Sequence, residues 1–240
     1  MPLESFWVYL AASPLWWLTL TLLIYLAAQK LFFKSGSMAV LNPVAVSVIA
    51  LIALLMLSHT PYERYFAGAQ FLHFLLGPAT VALAVPLFRQ LPRLKAIWFP
   101  VAVSLSIGVL TGAFSAVAIG YALGLDRTTL LSLAPKSVTT PVAMGISEVL
   151  GGLPSLTAAF VVFTGITGAV IGLRVLKAAG VTDESAVGIA MGVTAHGVGT
   201  ARAFEAHPVS GAFAGLAMAL AAFETAIVLP LVFDWIGWLT

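Results

Sequence analysis

The sequence predicts an all-α polytopic membrane protein with discontinuous helices, and three observations carry that reading. Of its 240 residues, 61% are hydrophobic and 8% charged, where soluble domains hold about 45–50% and about 25%. The apolar residues gather into runs of about 20, the length that crosses a bilayer, joined by short connections. Proline and glycine interrupt three of these runs beside polar side chains. With a mean hydropathy of +1.07, the chain cannot be a soluble domain, and the apolar excess excludes disorder. A net charge of +2, with no basic stripe, leaves nucleic-acid binding without a footprint. The absence of cysteine excludes disulfides, cysteine metal sites and thiol nucleophiles. No cleavable signal is expected, because residues 1–13 hold Glu4 and no Lys or Arg.

Hydropathy and punctuation give eight segments. The first, about 15–33, ends on Lys30 and Lys34. The second, about 39–58, tolerates Pro43 in its first turn. The third, 66–88, is interrupted at Gly77-Pro78 and at Pro86. The fourth, 97–123, is long. The fifth, 128–150, is broken by Pro135 and Pro141. The sixth, 155–173, is rich in Gly and Thr. The seventh, 186–203, holds Thr194-Ala195-His196-Gly197-Val198-Gly199-Thr200. The eighth, 209–233, is followed by Trp235 and Trp238 as interfacial anchors.

The basic residues orient the chain. Lys30 and Lys34, then Arg89, Arg93 and Lys95, then Arg174 and Lys177 share one side only if segment five is re-entrant. That side is then cytoplasmic. The expectation is seven crossings plus one re-entrant element, with the N-terminus outside and the C-terminus cytoplasmic. Segments two to four and six to eight would form an inverted repeat, 39–124 and 153–236, with broken elements in matching positions. A competing echo pairs Pro78-Ala79-Thr80-Val81 with Pro135-Lys136-Ser137-Val138, and the sequence leaves the two pairings open.

Irregular backbone at membrane depth requires cover from protein or a watery cavity, so the breaks point to a polar site. Ala134-Pro135-Lys136-Ser137-Val138-Thr139-Thr140-Pro141 places a lysine and three hydroxyls in an apolar segment. A lysine there costs at least ~2.5 kcal/mol on insertion; the alternative is snorkelling from a helix end. In segment seven, Gly197 and Gly199 permit close backbone approach, His196 and Thr200 add hydrogen bonds, and Arg202 offers a fork suited to a carboxylate. The alternative makes these glycines packing positions and ends a helix at Arg202. Thr80 is a weaker lining candidate. His196 and the mid-span Glu224 are candidates for proton coupling, although a neutral buried histidine and an ion-paired glutamate explain both. Glu148 either faces Lys136 or ends a helix, and Asn42 reads as structural. No G-x-S-x-G, H-E-x-x-H or P-loop is present, so no enzyme is expected. Neither a metal cluster nor a cofactor is expected.

Leu76-Gly77-Pro78-Ala79-Thr80-Val81-Ala82-Leu83-Ala84-Val85-Pro86-Leu87, Pro135-Lys136-Ser137-Val138-Thr139-Thr140-Pro141 and Ala195-His196-Gly197-Val198-Gly199-Thr200-Ala201 resemble the signatures of the LrgB/CidB family. The resemblance is strongest to its YohK-like inner-membrane members, and it covers nearly the whole chain as one transmembrane domain, 1–240. It implies a multi-pass protein of the bacterial inner membrane and two alternative functions. One is a carrier of small monocarboxylates such as pyruvate, glycolate or glycerate, as in the LrgB-like half of the plastidal glycolate/glycerate transporter. The other is a holin- or antiholin-like regulator of murein hydrolase export, acting with an LrgA/CidA-like small membrane protein. Lys136, Ser137, Thr139, Thr140, Thr80, His196, Gly197, Gly199, Thr200 and Arg202 are the expected substrate contacts. Besides the lipid bilayer, a homo-oligomer is left open as a partner.

Overall fold

The computed structural model describes residues 14–36, 41–82 and 84–237. It is all-helical over these residues, with no strand among them, as the uninterrupted apolar runs require: backbone groups deprived of water must bond within their own segment. Among the described residues, four helices are long and apolar enough to cross a membrane, Leu15–Lys34, Trp98–Ala122, Pro154–Ala178 and Pro208–Trp235. The chain divides into two compact units, Met1–Ala82 and Leu83–Thr240.

The first unit holds α1 (Pro14–Lys34), α2 (Pro43–Leu57) and α3 (Tyr62–Ala82). Asn42 is structural: its side chain caps α2, accepting from the backbone N–H of Val44 and Ala45 at 3.0 and 3.2 Å. Trp17 is fully buried and meets Tyr65 edge-on at 5.9 Å, joining α1 to α3. Gly77-Pro78 does not break α3, contrary to expectation. The helix runs through Pro78 to Ala82, because one missing N–H costs a helix a single bond, a loss spans tolerate.

The second unit begins with two short helices, α4 (Ala84–Arg89) and α5 (Leu91–Ala96). It continues with α6 (Trp98–Ala122), α7 (Arg127–Leu133), α8 (Thr140–Leu150), α9 (Pro154–Ala178), α10 (Glu184–Ala206) and α11 (Pro208–Trp235). Arg93 on α5 bonds Asp183, the N-cap of α10, at 2.6 Å. The start of α6 and the end of α9 therefore share one end of the unit, here the Arg93 end. The end of α6 and the start of α9 both abut α7 at the opposite, Arg127 end. A β-carbon added at Gly120 would meet Leu130 at 2.7 Å, and the Leu153 N–H donates to Ser132 Oγ at 2.7 Å.

From that end α7 enters, stops, and α8 returns. The break at 134–139 lies beside Gly112 of α6, whose added β-carbon would stand 3.5 Å from Ser137 Oγ. Gly112 is ten residues, or about 15 Å, from the end of α6, so the tip reaches half depth. Ser132, Ser147 and Thr157 knot both arms to α9: Thr157 Oγ1 lies 2.7 Å from Ser147 Oγ and 2.9 Å from the Ser132 carbonyl.

The other interrupted element departs from expectation. Segment seven reads as one crossing, but α10 doubles back at Ala195 (φ −127°, ψ 15°) and His196 (φ 41°, ψ −129°). A β-carbon on Gly199 would sit 2.4 Å from the Met191 carbonyl oxygen, eight residues earlier, where a continuous helix would hold them about 12 Å apart. The first arm, 184–194, runs along α11 in the same direction. Gly188 approaches the Ser210 carbonyl and Gly192 that of Ala214, where β-carbons would come to 2.3 and 2.2 Å. The second arm, 197–206, returns to the Arg93 end, where Gly211 lies against the Phe204 ring. Thus α11 starts at the Arg93 end, with Phe213 5.9 Å beneath the Arg93 guanidinium. It finishes at the Arg127 end, where Gly237 shares a recess with Tyr121 and Arg127.

Asp183 also accepts from the N–H of Ser185 and Ala186 at 2.9 and 3.0 Å. The Ala186 N–H foremost, and the Arg93 guanidinium after it, hold its carboxyl below the ordinary 3.8, against the opposing effect of burial. A depressed carboxylate stabilises the fold above its unfolded pKa, and this stabilisation is lost as pH falls through the folded value. Asp183→Ala should cost about 1 kcal/mol near neutrality, as loss of an N-cap does. Thermal unfolding in detergent should show that gap to wild type closing below pH 3.8; a gap constant with pH would remove the carboxylate from the account.

Candidate functional site

Both hairpin tips lie at half depth. Gly165 and Gly168, near the middle of α9, receive the α10 tip: added β-carbons there would stand 2.6 Å from His196 Cε1 and 2.4 Å from Ala195 Cβ. The missing side chains thus form a notch for the turn. His196 is buried, and its Nε2 lies 2.9 Å from the Val161 carbonyl. A carbonyl only accepts, so Nε2 carries the proton. Thr200 Oγ1 donates to the His196 carbonyl at 2.8 Å and touches Met218 of α11.

At the other tip, Lys136 Nζ donates to Ser137 Oγ at 3.1 Å. No carboxylate among the described residues lies within ion-pairing distance of Lys136. Local turns close the backbone, from Lys136 N to the Leu133 carbonyl and from Val138 N to that of Pro135. Thr139 is the N-cap of α8 without a side-chain cap bond, and Thr140 and Pro141 open that helix.

Between the tips lies a small cavity of about 10 Å³, the room of one water, lined mostly by buried residues. Its walls are Val109 and Ala113 of α6, Ala134, Pro135, Ser137 and Val138 of the first tip, Val193 just before the second, and Thr225 of α11. Thr225 is 3% exposed, and its hydroxyl has no hydrogen-bond partner. Sequence reading passed over this residue. The one available signal was a hydroxyl following Glu224 in mid-span, and only the turn of α11 separates the buried Thr225 from its half-buried neighbour.

The other candidates are placed as follows. Ser137 lines the cavity and Lys136 is bonded to it. Gly197, Gly199 and Thr200 begin the second arm of α10. Arg202, farther along that arm, pairs with Glu205 at 2.6 Å. Glu148 is exposed and does not meet Lys136. His207 caps α11 through Nδ1 at 3.2 Å. Thr80 lies in α3, and its side chain and Trp238 are outside the described residues. Among the described residues no cluster of metal-ligating side chains occurs.

The sequence model of the LrgB-like family matches residues 21–235, every break included. The chain belongs to the LrgB-like family. Among relatives, YwbG of Bacillus subtilis (strain 168), whose function is uncharacterised, is 39% identical over 213 residues, 89% of this chain and 94% of that protein. YxaC of the same organism is 37% identical over 89% and 92%. The antiholin-like protein LrgB of Bacillus cereus (strain B4264) is 29% identical over 94% and 98%. No solved structure matches. The LrgB-like match therefore identifies the family, and the two-hairpin geometry comes from this chain alone.

His196 holds a backbone conformation that costs a residue bearing a β-carbon about 1–3 kcal/mol, offset by its bond to Val161. His196→Ala should lose the bond and keep the strain, whereas His196→Gly loses the bond and relieves it. Glycine should therefore melt above alanine, by about 1 kcal/mol once its unfolded-state entropy is deducted. Detergent melting curves give the order, and the reverse order would mean the turn is unstrained.

Proposed function

We propose that this LrgB-like protein is a carrier of small monocarboxylates of the pyruvate, glycolate and glycerate kind in the bacterial inner membrane, performing no catalytic step. The carrying observation is the cavity between two half-depth breaks, with Thr225 unpartnered on its wall and Lys136 on Ser137 beside it. A protein that only perforates a membrane needs apolar helices that associate, not a lysine at a broken helix beside an unpartnered hydroxyl on a cavity wall. The helical arms that begin at the tips, α8 and 197–206, also direct their positive ends to half depth, where carriers hold anionic groups. In this reading Lys136 compensates the carboxylate, and Ser137 and Thr225 meet its oxygens.

The positive-inside rule orients the second unit. Arg89, Arg93, Lys95, Arg174 and Lys177 cluster at the Arg93 end, which is then cytoplasmic. The α7–α8 hairpin is re-entrant from outside and the α10 hairpin from inside. The C-terminus follows α11 to the outside, the reverse of the orientation expected from sequence, because α10 does not cross. Single-cysteine labelling is unambiguous in a chain without native cysteine. Positions 180 and 207 should label from the cytoplasm and positions 126 and 151 from outside. Labelling of 180 and 207 from opposite faces would restore the crossing.

A charge-assisted hydrogen bond contributes roughly 1.5–3 kcal/mol. Lys136→Ala should accordingly lower saturable uptake of labelled pyruvate or glycolate into proteoliposomes roughly 10- to 150-fold, with insertion unchanged. Wild-type uptake by the folded variant would remove Lys136 from the site.

The name of the Bacillus cereus relatives, antiholin-like protein LrgB, favours a second reading: a regulator of murein hydrolase export assembling with an LrgA-like partner. Uptake separates the two, since a carrier saturates and discriminates stereoisomers whereas a large hole does neither.

A further inference from the structure

Each tip rests on its own half of α6. Val193, one turn before His196, packs on Gly108, and Ser137 packs on Gly112, one turn closer to the Arg127 end. The helix α6 followed by α7–α8, and the helix α9 followed by the α10 arms, are therefore the same pattern, a 25-residue helix and a half-depth hairpin, run in opposite directions. This pairing, 98–150 with 154–206, differs from both pairings the sequence offers. The unpartnered Thr225 hydroxyl stands on α11 between the tips, on the one wall that belongs to neither pattern.

We infer that the cavity between the tips is a two-gated binding site for a small carboxylate, closed toward the Arg127 end by the α7–α8 hairpin and toward the Arg93 end by the α10 hairpin, with Thr225 as its fixed hydrogen-bonding wall. The inference rests on the carrier reading for its ligand and on the geometry for its gates. A cavity with room for one water cannot hold even acetate while both tips are seated, so binding requires one tip to leave α6. Withdrawal of a single tip opens the site to a single end. The two gates are chemically unlike. The α7–α8 tip carries the cation, so its displacement moves Lys136 relative to Thr225. The α10 tip carries no charge at its turn and is held by the His196–Val161 bond and the glycine notch of α9.

The test reads access rather than uptake. Thr225→Cys, in a chain with no other cysteine, is exposed to a small charged methanethiosulfonate reagent from either face of oriented vesicles, and Ala113→Cys on the same cavity is the second reporter. Labelling from both faces is expected. A β-carbon on Gly108 would lie 3.9 Å from Val193 Cβ, within the ordinary separation for a disulfide, about 3.5–4.5 Å. Gly108→Cys with Val193→Cys, oxidised before the reporter is introduced to reagent, should abolish labelling from the Arg93 face and preserve it from the Arg127 face, with reductant restoring both. Labelling from neither face, or from one face alone without the lock, overturns the two-gated site, as does a lock that changes nothing. Should wild-type proteoliposomes show no saturable carboxylate uptake while the labelling pattern holds, the carrier reading fails and the gates stand.

Discussion

The left-handed turn at His196, seated in the Gly165–Gly168 notch and bonded from Nε2 to the Val161 carbonyl, sets the direction of everything after residue 196. Without that reversal α10 would cross the unit, α11 would run the other way, and Thr225 would not face the first hairpin. The bond needs a partner surface that admits a histidine ring against a helix backbone, and Gly165 and Gly168 provide it. Strain at one residue is sustained because the surroundings determine its position from several sides: the notch of α9, the Thr200 hydroxyl on the His196 carbonyl, and Met218 of α11.

Small residues recur wherever backbone meets backbone. Gly188 and Gly192 let the first arm of α10 lie against the carbonyls of α11, and Gly112 and Gly108 give each tip its seat on α6. In a bilayer there is no hydrophobic gain between helices, so close van der Waals packing has to supply the attraction. The first hairpin is held differently. Its breaks are closed by local turns, and the hydroxyls of Ser132, Ser147 and Thr157 fasten its arms to α9 near the mouth. One hairpin is thus secured by polar bonds at its base, the other by shape at its tip.

The charges divide along the same lines. Arg93, Asp183 and the Phe213 ring close the Arg93 end with an ion pair and a cation–π contact. Arg202 is matched by Glu205 one turn away. Lys136 differs from both, with a serine hydroxyl as its bonded partner and no carboxylate near it among the described residues. In the carrier reading this distinguishes Lys136 from the structural arginines, since a substrate anion is attracted to positive charge that the protein has not already neutralised.

The sequence by itself determined the membrane character, the approximate bounds of α1, α6, α10 and α11, and two of the places where helices break. Hydropathy reports burial in lipid, and Pro135, Pro141 and the Ala195–Gly199 run report where regular hydrogen bonding stops. It marked Lys136, Ser137 and His196 because polar groups at those depths are costly enough to stand out. It overread Gly77-Pro78, where a continuing helix absorbs the proline. Tertiary structure alone decided that α10 returns to the end it came from. A 23-residue apolar helix and two half-depth arms have the same composition and nearly the same periodicity. The difference lies in the backbone angles at Ala195 and His196, and those are set by the notch on α9, some thirty residues earlier in the chain. Thr225 was hidden for the same reason: a threonine in an apolar span normally bonds its own helix, and only the meeting of two hairpins leaves this hydroxyl facing a cavity.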